Sequence, residues 1–251
     1  MAETRSVLIT GAASGIGLAI AREFANRGHR LLLTDVNENI HAIAQGLSAD
    51  DAPCHAYVAD LADEQAVLEL AAHAKERLSG CDILINSAGI SPKSRGEAAQ
   101  PTDIPLAEWR QVLEINLTTP FILCRELIAS MRARRFGRII NIASRAGRTY
   151  VAPTGAHYAA SKAGLLGMTR QFAGIYAPFG ITANCIAPGR IETPLSSLSS
   201  AAIIEHAKTG IPAQRLGKTE EIACVAYFLA SESAAYITGT CIDVNGGAFM
   251  A

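Results

Sequence analysis

Short runs of β-branched and leucine-rich residues recur along the chain, separated by longer stretches with a helical repeat of apolar positions. Val7-Leu8-Ile9, Leu31-Leu32-Leu33, Ala56-Tyr57-Val58, Ile83-Leu84-Ile85, Ile139-Ile140-Asn141-Ile142 and Thr182–Ala187 all have strand length. None alternates polar with apolar, so each is expected to be covered on both faces, as in a parallel sheet. Cys241-Ile242-Asp243-Val244 adds a seventh strand near the end. The intervening segments predict helices over 15–27, 63–78, 105–134, 157–177 and 219–231. Pro105 suits a first helical position, where its missing N–H costs nothing, and Thr219 suits an N-cap. Strands alternating with helices in this way build right-handed crossovers. The expected fold is a doubly wound α/β sheet of about seven parallel strands, flanked by helices. No Pro/Gly/Ser linker divides the chain, so residues 1–251 read as one domain. Two loops stand out by composition, Ser91–Asp103 and Pro194–Ser200.

Composition narrows the classes of partner. Twenty-two Lys and Arg face 23 Asp and Glu, a formal net charge of −1. Binding a nucleic-acid backbone requires clustered cations, so no nucleic-acid partner is expected. The basic run Arg132-Ala133-Arg134-Arg135 reads as a solvated helix end. With 49% hydrophobic and 18% charged residues, the chain is suited to a large core and unsuited to disorder. It has no uninterrupted apolar window of ~18 residues, and no membrane span is expected. Six scattered cysteines form no C-x-x-C pair, and no histidine spacing resembles a ligand set, so no metal is expected. Cys185 and Cys241 read as small buried hydrophobes. Reduced thiols, and no leader-like pattern over residues 1–10, predict a cytoplasmic protein.

The candidate chemistry begins directly after the first strand. Thr10-Gly11-Ala12-Ala13-Ser14-Gly15-Ile16-Gly17 leads into the amphipathic stretch Leu18–Arg27. Glycines let the backbone turn sharply and approach a ligand, while a helix N-terminus offers unpaired N–H groups to a pyrophosphate. The second strand ends at Asp35, 18 residues past Gly17. An acidic side chain there hydrogen-bonds the adenosine ribose and repels a 2′-phosphate. Positions 14 and 36 are Ser and Val, with no cation to attract that phosphate, so NAD is favoured over NADP. Asp60 after the third strand, and Asn86-Ser87-Ala88-Gly89 after the fourth, fall where the sheet's ligand crevice belongs.

Tyr158 and Lys162 stand four residues apart on one predicted helix face. A phenol with an ordinary pKa near ~10 is a poor base at neutral pH, and an adjacent ammonium favours its phenolate. Ser144 follows the fifth strand and is expected to project at the sheet's C-terminal edge, where its hydroxyl can donate to a carbonyl or alkoxide. Asn116 lies within the predicted 105–134 helix, where Asn is a mediocre former; it either faces solvent or is kept for a buried polar role. Arg145, Arg148 and Arg190 flank these elements and serve either solubility or an anionic substrate group, while His157 reads as a substrate-side or loop residue.

With these residues in view, the chain resembles the short-chain dehydrogenase/reductase family from Thr10 to Val244-Asn245-Gly246-Gly247. Pro188-Gly189-x-Ile191-x-Thr193 belongs to the same pattern. The resemblance implies a Rossmann-type fold and hydride transfer between a nicotinamide and a carbonyl or secondary alcohol. It implies Tyr158 as general acid/base and Ser144 as the group orienting the substrate oxygen. Lys162 would lower the Tyr pKa and bind the ribose, and Asn116 would position a relay water. The implied cofactor contacts are Gly11, Ser14, Gly15, Ile16, Gly17, Asp35, Val36, Asp60, Leu61, Asn86, Ala88, Gly89, Tyr158, Lys162, Pro188, Gly189, Ile191 and Thr193. A homotetramer built on the 105–134 and 157–177 helices is also implied. Two departures stand out: Ser87 replaces a second Asn, and Tyr158 follows Ser144 by one residue more than the family's usual spacing.

Ile211-Pro212-Ala213-Gln214-Arg215-Leu216-Gly217 and the C-terminal motif resemble 3-oxoacyl-acyl-carrier-protein reductases. Those enzymes carry a basic residue in the glycine loop and two cations that dock the carrier. Here the loop has Ser14; Arg135 matches one docking position and Phe179 occupies the other. A sugar, polyol or other small-alcohol dehydrogenase is the alternative. A non-catalytic dinucleotide-binding regulator would lack the Tyr or the Lys, and both are here. A substrate lid is expected over about 190–215, mixing Leu195, Leu198, Ile203, Ile204 and Ile211 with Glu205, His206 and Lys208.

Overall fold

A computed structural model describes residues 4–93, 98–152, 154–193, 205 and 208–250. Seven strands are present: β1 (Ser6–Thr10), β2 (Arg30–Asp35), β3 (Cys54–Val58), β4 (Ile83–Asn86), β5 (Gly137–Ile142), β6 (Ile181–Pro188) and β7 (Cys241–Val244). They form one sheet in the order β3-β2-β1-β4-β5-β6-β7. All pairs are parallel, with Leu8 beside Leu32 on one side and Leu84 on the other. The uninterrupted apolar runs have a direct cause, because successive side chains point to opposite faces and both faces are covered. Val7, Ile9, Leu31 and Leu33 pack into one core with Ile20 and Phe24 of α1 (Gly15–Ala25) and Ile222 and Leu229 of a C-terminal helix. Leu8, Leu32, Leu84 and Ile139 pack into the other, with Leu70 of α3 (Glu64–Arg77) and Leu127 of a later helix. Strand order reverses between β1 and β4, so a ligand crevice opens at their C-terminal ends.

Further helices among the described residues are α2 (Ile40–Leu47), α4 (Leu106–Leu113), α5 (Thr119–Arg134), α6 (Ala156–Tyr176) and α7 (Thr219–Ala230). The structure departs from the expected helices at four points. Helix α2 was not anticipated. The predicted 105–134 helix is two helices joined by a π-helical turn, Glu114–Thr118, and Pro105 is the N-cap of α4 with ψ 141°. Lys218, not Thr219, caps α7; its backbone N–H donates to the Glu221 carboxylate at 2.7 Å. Cys185 is fully buried as expected, whereas Cys241 on the edge strand is only half-buried.

Half of the expected lid lies outside the described residues, including Leu195, Leu198, Ile203, Ile204 and His206. Its flanks are held together: Glu192 N–H donates to Gly217 O at 2.8 Å and Gly217 N–H to Arg190 O at 3.0 Å. No helix among the described residues is long and apolar enough to cross a membrane.

Candidate active site

The glycine loop folds back on itself to make the floor of the crevice. Gly11 has φ +66° and Gly15 φ +54°, a left-handed region that side chains disfavour. A Cβ on Gly17 would lie 2.1 Å from the Gly11 carbonyl oxygen, so the first turn of α1 can pack on the loop only without a side chain there. A Cβ on Gly11 would meet the Ala88 Cα at 2.7 Å, which places Gly11 directly against the segment after β4. Thr10 Oγ1 ties the two strand ends together by accepting from the N–H groups of Ser87 and Ala88, each at 3.1 Å. Thr193 comes over the loop, with its methyl 3.5 Å from where a Gly15 Cβ would stand. The Ser14 hydroxyl makes no capping bond to α1, so the helix start keeps donors for an anion.

Asp35 closes β2 beside this loop. One carboxylate oxygen accepts from Ala13 N at 3.0 Å and the other from Asn37 N at 3.0 Å. Val36 is 68% exposed on the same rim. Asp60 caps the turn after β3 by accepting from Ala62 N, and the buried Leu61 accepts from Thr119 Oγ1 at 2.6 Å. Asn86 differs from its neighbours: its amide turns into the sheet and donates to Asn141 Oδ1 at 2.8 Å.

Behind the glycine loop, the structure brings together the four polar residues singled out in the sequence. Ser144 ends the β5 segment in extended conformation, and its Oγ accepts from Ala146 N at 3.1 Å. The Ser144 hydroxyl lies close enough to the Tyr158 phenol to favour its phenolate. Lys162, on α6 and 4% exposed, donates to the Ile142 carbonyl at 2.8 Å, with its Nζ 5.7 Å from the Tyr158 ring centre. Asn116 is fully buried in the π-helical turn, which resolves the choice between solvent and a polar interior. Its amide pairs with both backbone groups of Ile90, at 2.8 and 2.9 Å, and donates to Ser161 Oγ at 3.1 Å. Asn116 Oδ1 and Lys162 Nζ each stand 3.3 Å from where a Gly89 Cβ would be, so a side chain at 89 would crowd both. At the far side Gly189 packs on Asn245, 2.8 Å from its virtual Cβ.

Burial sets the electrostatics. It pushes the Tyr158 phenol above its ordinary pKa, and the Ser144 hydrogen bond pulls the other way. It pushes the Lys162 ammonium down to about 8, and no carboxylate among the described residues offsets the loss of water. Two of the three flanking cations are engaged within the chain: Arg145 donates to the Ala248 carbonyl at 3.0 Å and Arg148 pairs with Asp243. His157 is wholly buried on α6 instead of lying in a loop. Thr10, Ile90 and Ser161 were not singled out in the sequence; a Thr before a Gly turn and a Ser inside Y-x-x-S-K carry no distinctive signal.

Comparison with known proteins agrees with this geometry. A family model described as enoyl-(acyl carrier protein) reductase matches residues 11–248. The chain is 39% identical to the 3-oxoacyl-[acyl-carrier-protein] reductase FabG of Escherichia coli over 99% of its own length and 98% of the relative's. It superposes on a 3-oxoacyl-[acyl-carrier protein] reductase with bound NAD from Brucella melitensis with a TM-score of 0.88, at 36% identity, covering 98% and 92% of the two chains. A blue fluorescent protein from a metagenomic library, solved with NADPH, gives 0.90 at 32% identity over 98% of both. The chain therefore belongs to the short-chain dehydrogenase/reductase family and is an oxidoreductase acting on carbonyl or CH–OH groups.

Proposed function

We propose that the protein is an NAD(H)-dependent reductase of 3-oxoacyl thioesters, with Tyr158, Ser144, Lys162 and Asn116 as its catalytic residues. The observation that carries the reading is the Ser144–Tyr158–Lys162 group, with Lys162 buried, beside a glycine loop closed by Asp35. A bound nicotinamide dinucleotide supplies or accepts the hydride. Gly11, Ser14, Gly15, Ile16 and Gly17 would cradle its pyrophosphate. Asp35 and Val36 would take the adenosine ribose, with Asp60 and Leu61 beside the adenine side. Asn86, Ala88 and Gly89 would form the middle of the groove, with Pro188, Gly189, Ile191 and Thr193 at the nicotinamide end. In the reductive direction the substrate oxygen accepts hydrogen bonds from Ser144 Oγ and Tyr158 Oη, and Tyr158 gives it the phenolic proton. The phenolate left behind is stabilised by the Lys162 ammonium in a site with little water. Asn116 Oδ1 and Lys162 Nζ flank Gly89 closely enough to hold a relay water that returns the proton.

The NAD preference rests on Asp35 and on Ser14 and Val36, where a cation would be needed for a 2′-phosphate. The segment over about 190–215 serves as the lid. A homotetramer is supported by Phe121 on α5 and Ile175 on α6, which leave apolar surface exposed at 42% and 58%. Six free cysteines fit a cytoplasmic, reducing setting.

One observation favours a second substrate class, a sugar, polyol or other small alcohol. The groove along α5 offers Arg135, whose guanidinium donates to the Pro178 carbonyl at 3.0 Å, but its other wall is Phe179 under Arg132. Phe179 thus stands where the resemblance expects a second docking cation, with Arg132 stacked on it. The test is the oxidation rate of NADH and NADPH with acetoacetyl thioesters, ketoses and the products of polyol oxidation. Faster NADH-dependent turnover of the thioester is expected. Preference for NADPH refutes the cofactor reading, and turnover of sugars alone refutes the acyl reading.

A further inference from the structure

We propose that Glu108 and His157 form a brace that positions the Tyr158 phenol. The inference rests on Tyr158 being the acid/base. The N-cap of α6 is Gly155, which has no side chain with which to cap the helix's first N–H groups. His157 does that work from inside the helix: its Nδ1 accepts from the Tyr158 backbone N–H at 2.8 Å. An imidazole that accepts at Nδ1 carries its proton on Nε2, and Nε2 lies 2.9 Å from Glu108 Oε1. The ring is completely buried, and Gly155 makes room for it, since a Cβ there would stand 2.4 Å from His157 Cε1.

Glu108 sits in the first turn of α4, which runs directly into the π-helical turn bearing Asn116. Asn116 Nδ2 donates to Ser161 Oγ, and Ser161 Oγ donates to the Tyr158 carbonyl at 2.8 Å. Both backbone groups of Tyr158 are thus held by side chains that lead back to the same helical segment, one through His157 and one through Ser161. With its backbone fixed at both ends, the phenol keeps only its two side-chain torsions. Its approach to Ser144 is then set by how α4 lies against α6. Glu108 and His157 are positioning residues, for neither faces the reacting atoms.

The test uses the full-length protein and the variants Glu108→Ala, Glu108→Gln, His157→Asn and the Glu108→Ala/His157→Asn double. Glu108 is only partly buried, at 32% side-chain exposure, so its replacement leaves the fold intact. Glu108→Ala is expected to lower kcat by about tenfold or more, because small misplacements of a reacting group are costly, with the dinucleotide Kd within about twofold of wild type. Glu108→Gln keeps an acceptor for Nε2–H and should restore most of kcat. His157→Asn can accept from Tyr158 N but cannot reach Glu108, and the double variant should be no worse than it. Wild-type kcat in Glu108→Ala, measured well below its unfolding temperature, overturns the brace, as does a Glu108→Gln as slow as the alanine. Tyr158→Phe is assayed in parallel. If it keeps wild-type turnover, the acid/base reading itself fails, whereas its loss beside an unaffected Glu108→Ala refutes the brace alone.

Discussion

Replacing Lys162 by methionine is expected to stabilise the protein at neutral pH while removing its activity. The ammonium is 4% exposed and donates to the Ile142 carbonyl, and no carboxylate among the described residues faces it. Burial brings its pKa from 10.5 to about 8. At ~1.36 kcal/mol per pH unit, keeping the charge in the folded state costs about 3 kcal/mol wherever both states are protonated. The sign follows from proton counting. Between about pH 8 and 10.5 the unfolded chain holds this proton more tightly than the folded one, so the cost is complete below pH 8 and fades as pH rises through that window. Methionine has a similar length and no charge, but it leaves the Ile142 carbonyl unpaired at about 1 kcal/mol. The net gain at pH 7 is about 2 kcal/mol, or about 4–8 °C in Tm for a chain of this size. By pH 10 the remaining cost of the charge is about 1 kcal/mol, so the two proteins should unfold at nearly the same temperature. The assay is thermal unfolding of both proteins from pH 7 to pH 10. A methionine variant less stable at pH 7, or an offset unchanged across that range, would refute the reasoning. The expected outcome is a trade of stability for function at one residue.

Three further outcomes follow from the same geometry. Gly17→Ala puts a methyl 2.1 Å from the Gly11 carbonyl oxygen, which forces α1 off the loop; dinucleotide binding by fluorescence titration should be lost. Asp35→Ala removes the acceptor for Ala13 N and Asn37 N and the negative charge on the rim. The NADP/NAD ratio of kcat/KM should rise by about tenfold or more, the value of a hydrogen bond to a charged group, and an unchanged ratio counts against Asp35 as the selector. Asp82→Ala, at the opposite end of the sheet, strips partners from Ser6 N, Ser6 Oγ and the Arg134 guanidinium at 2.9–3.0 Å. Denaturant titration should show a loss of about 3 kcal/mol with no change in cofactor Kd.

The fold was legible because the sheet is covered on both sides. Runs such as Leu31-Leu32-Leu33 place alternate residues in two separate cores, and only a parallel sheet between helical layers gives that pattern. Helix α2 escaped because its eight residues present apolar positions at 40, 43, 44 and 47 for barely two turns, with Gly46 inside. The π-helical turn could not be read at all. Its sequence, Glu-Ile-Asn-Leu-Thr, fits an α-helix, and what distinguishes it is Asn116 reaching Ile90 and Ser161 from distant segments. Tyr158, Lys162 and Ser144 were visible because residue type and spacing at a strand end or on a helix face carry their chemistry. Asn86 closes β4, and its amide nitrogen donates to Asn141 across the sheet, a pairing the sequence does not announce. Glu108 and His157 stand 49 residues apart and meet only because α4 packs against α6.

The central claim is that the phenol of Tyr158 moves the proton during hydride transfer. Tyr158→Phe removes one oxygen and leaves the ring in place. Turnover of a carbonyl substrate should be measured beside NADH affinity. The account predicts a loss of about a hundredfold to ten-thousandfold in kcat, the usual contribution of general acid–base catalysis, with the NADH Kd preserved. Wild-type turnover in that variant would contradict it.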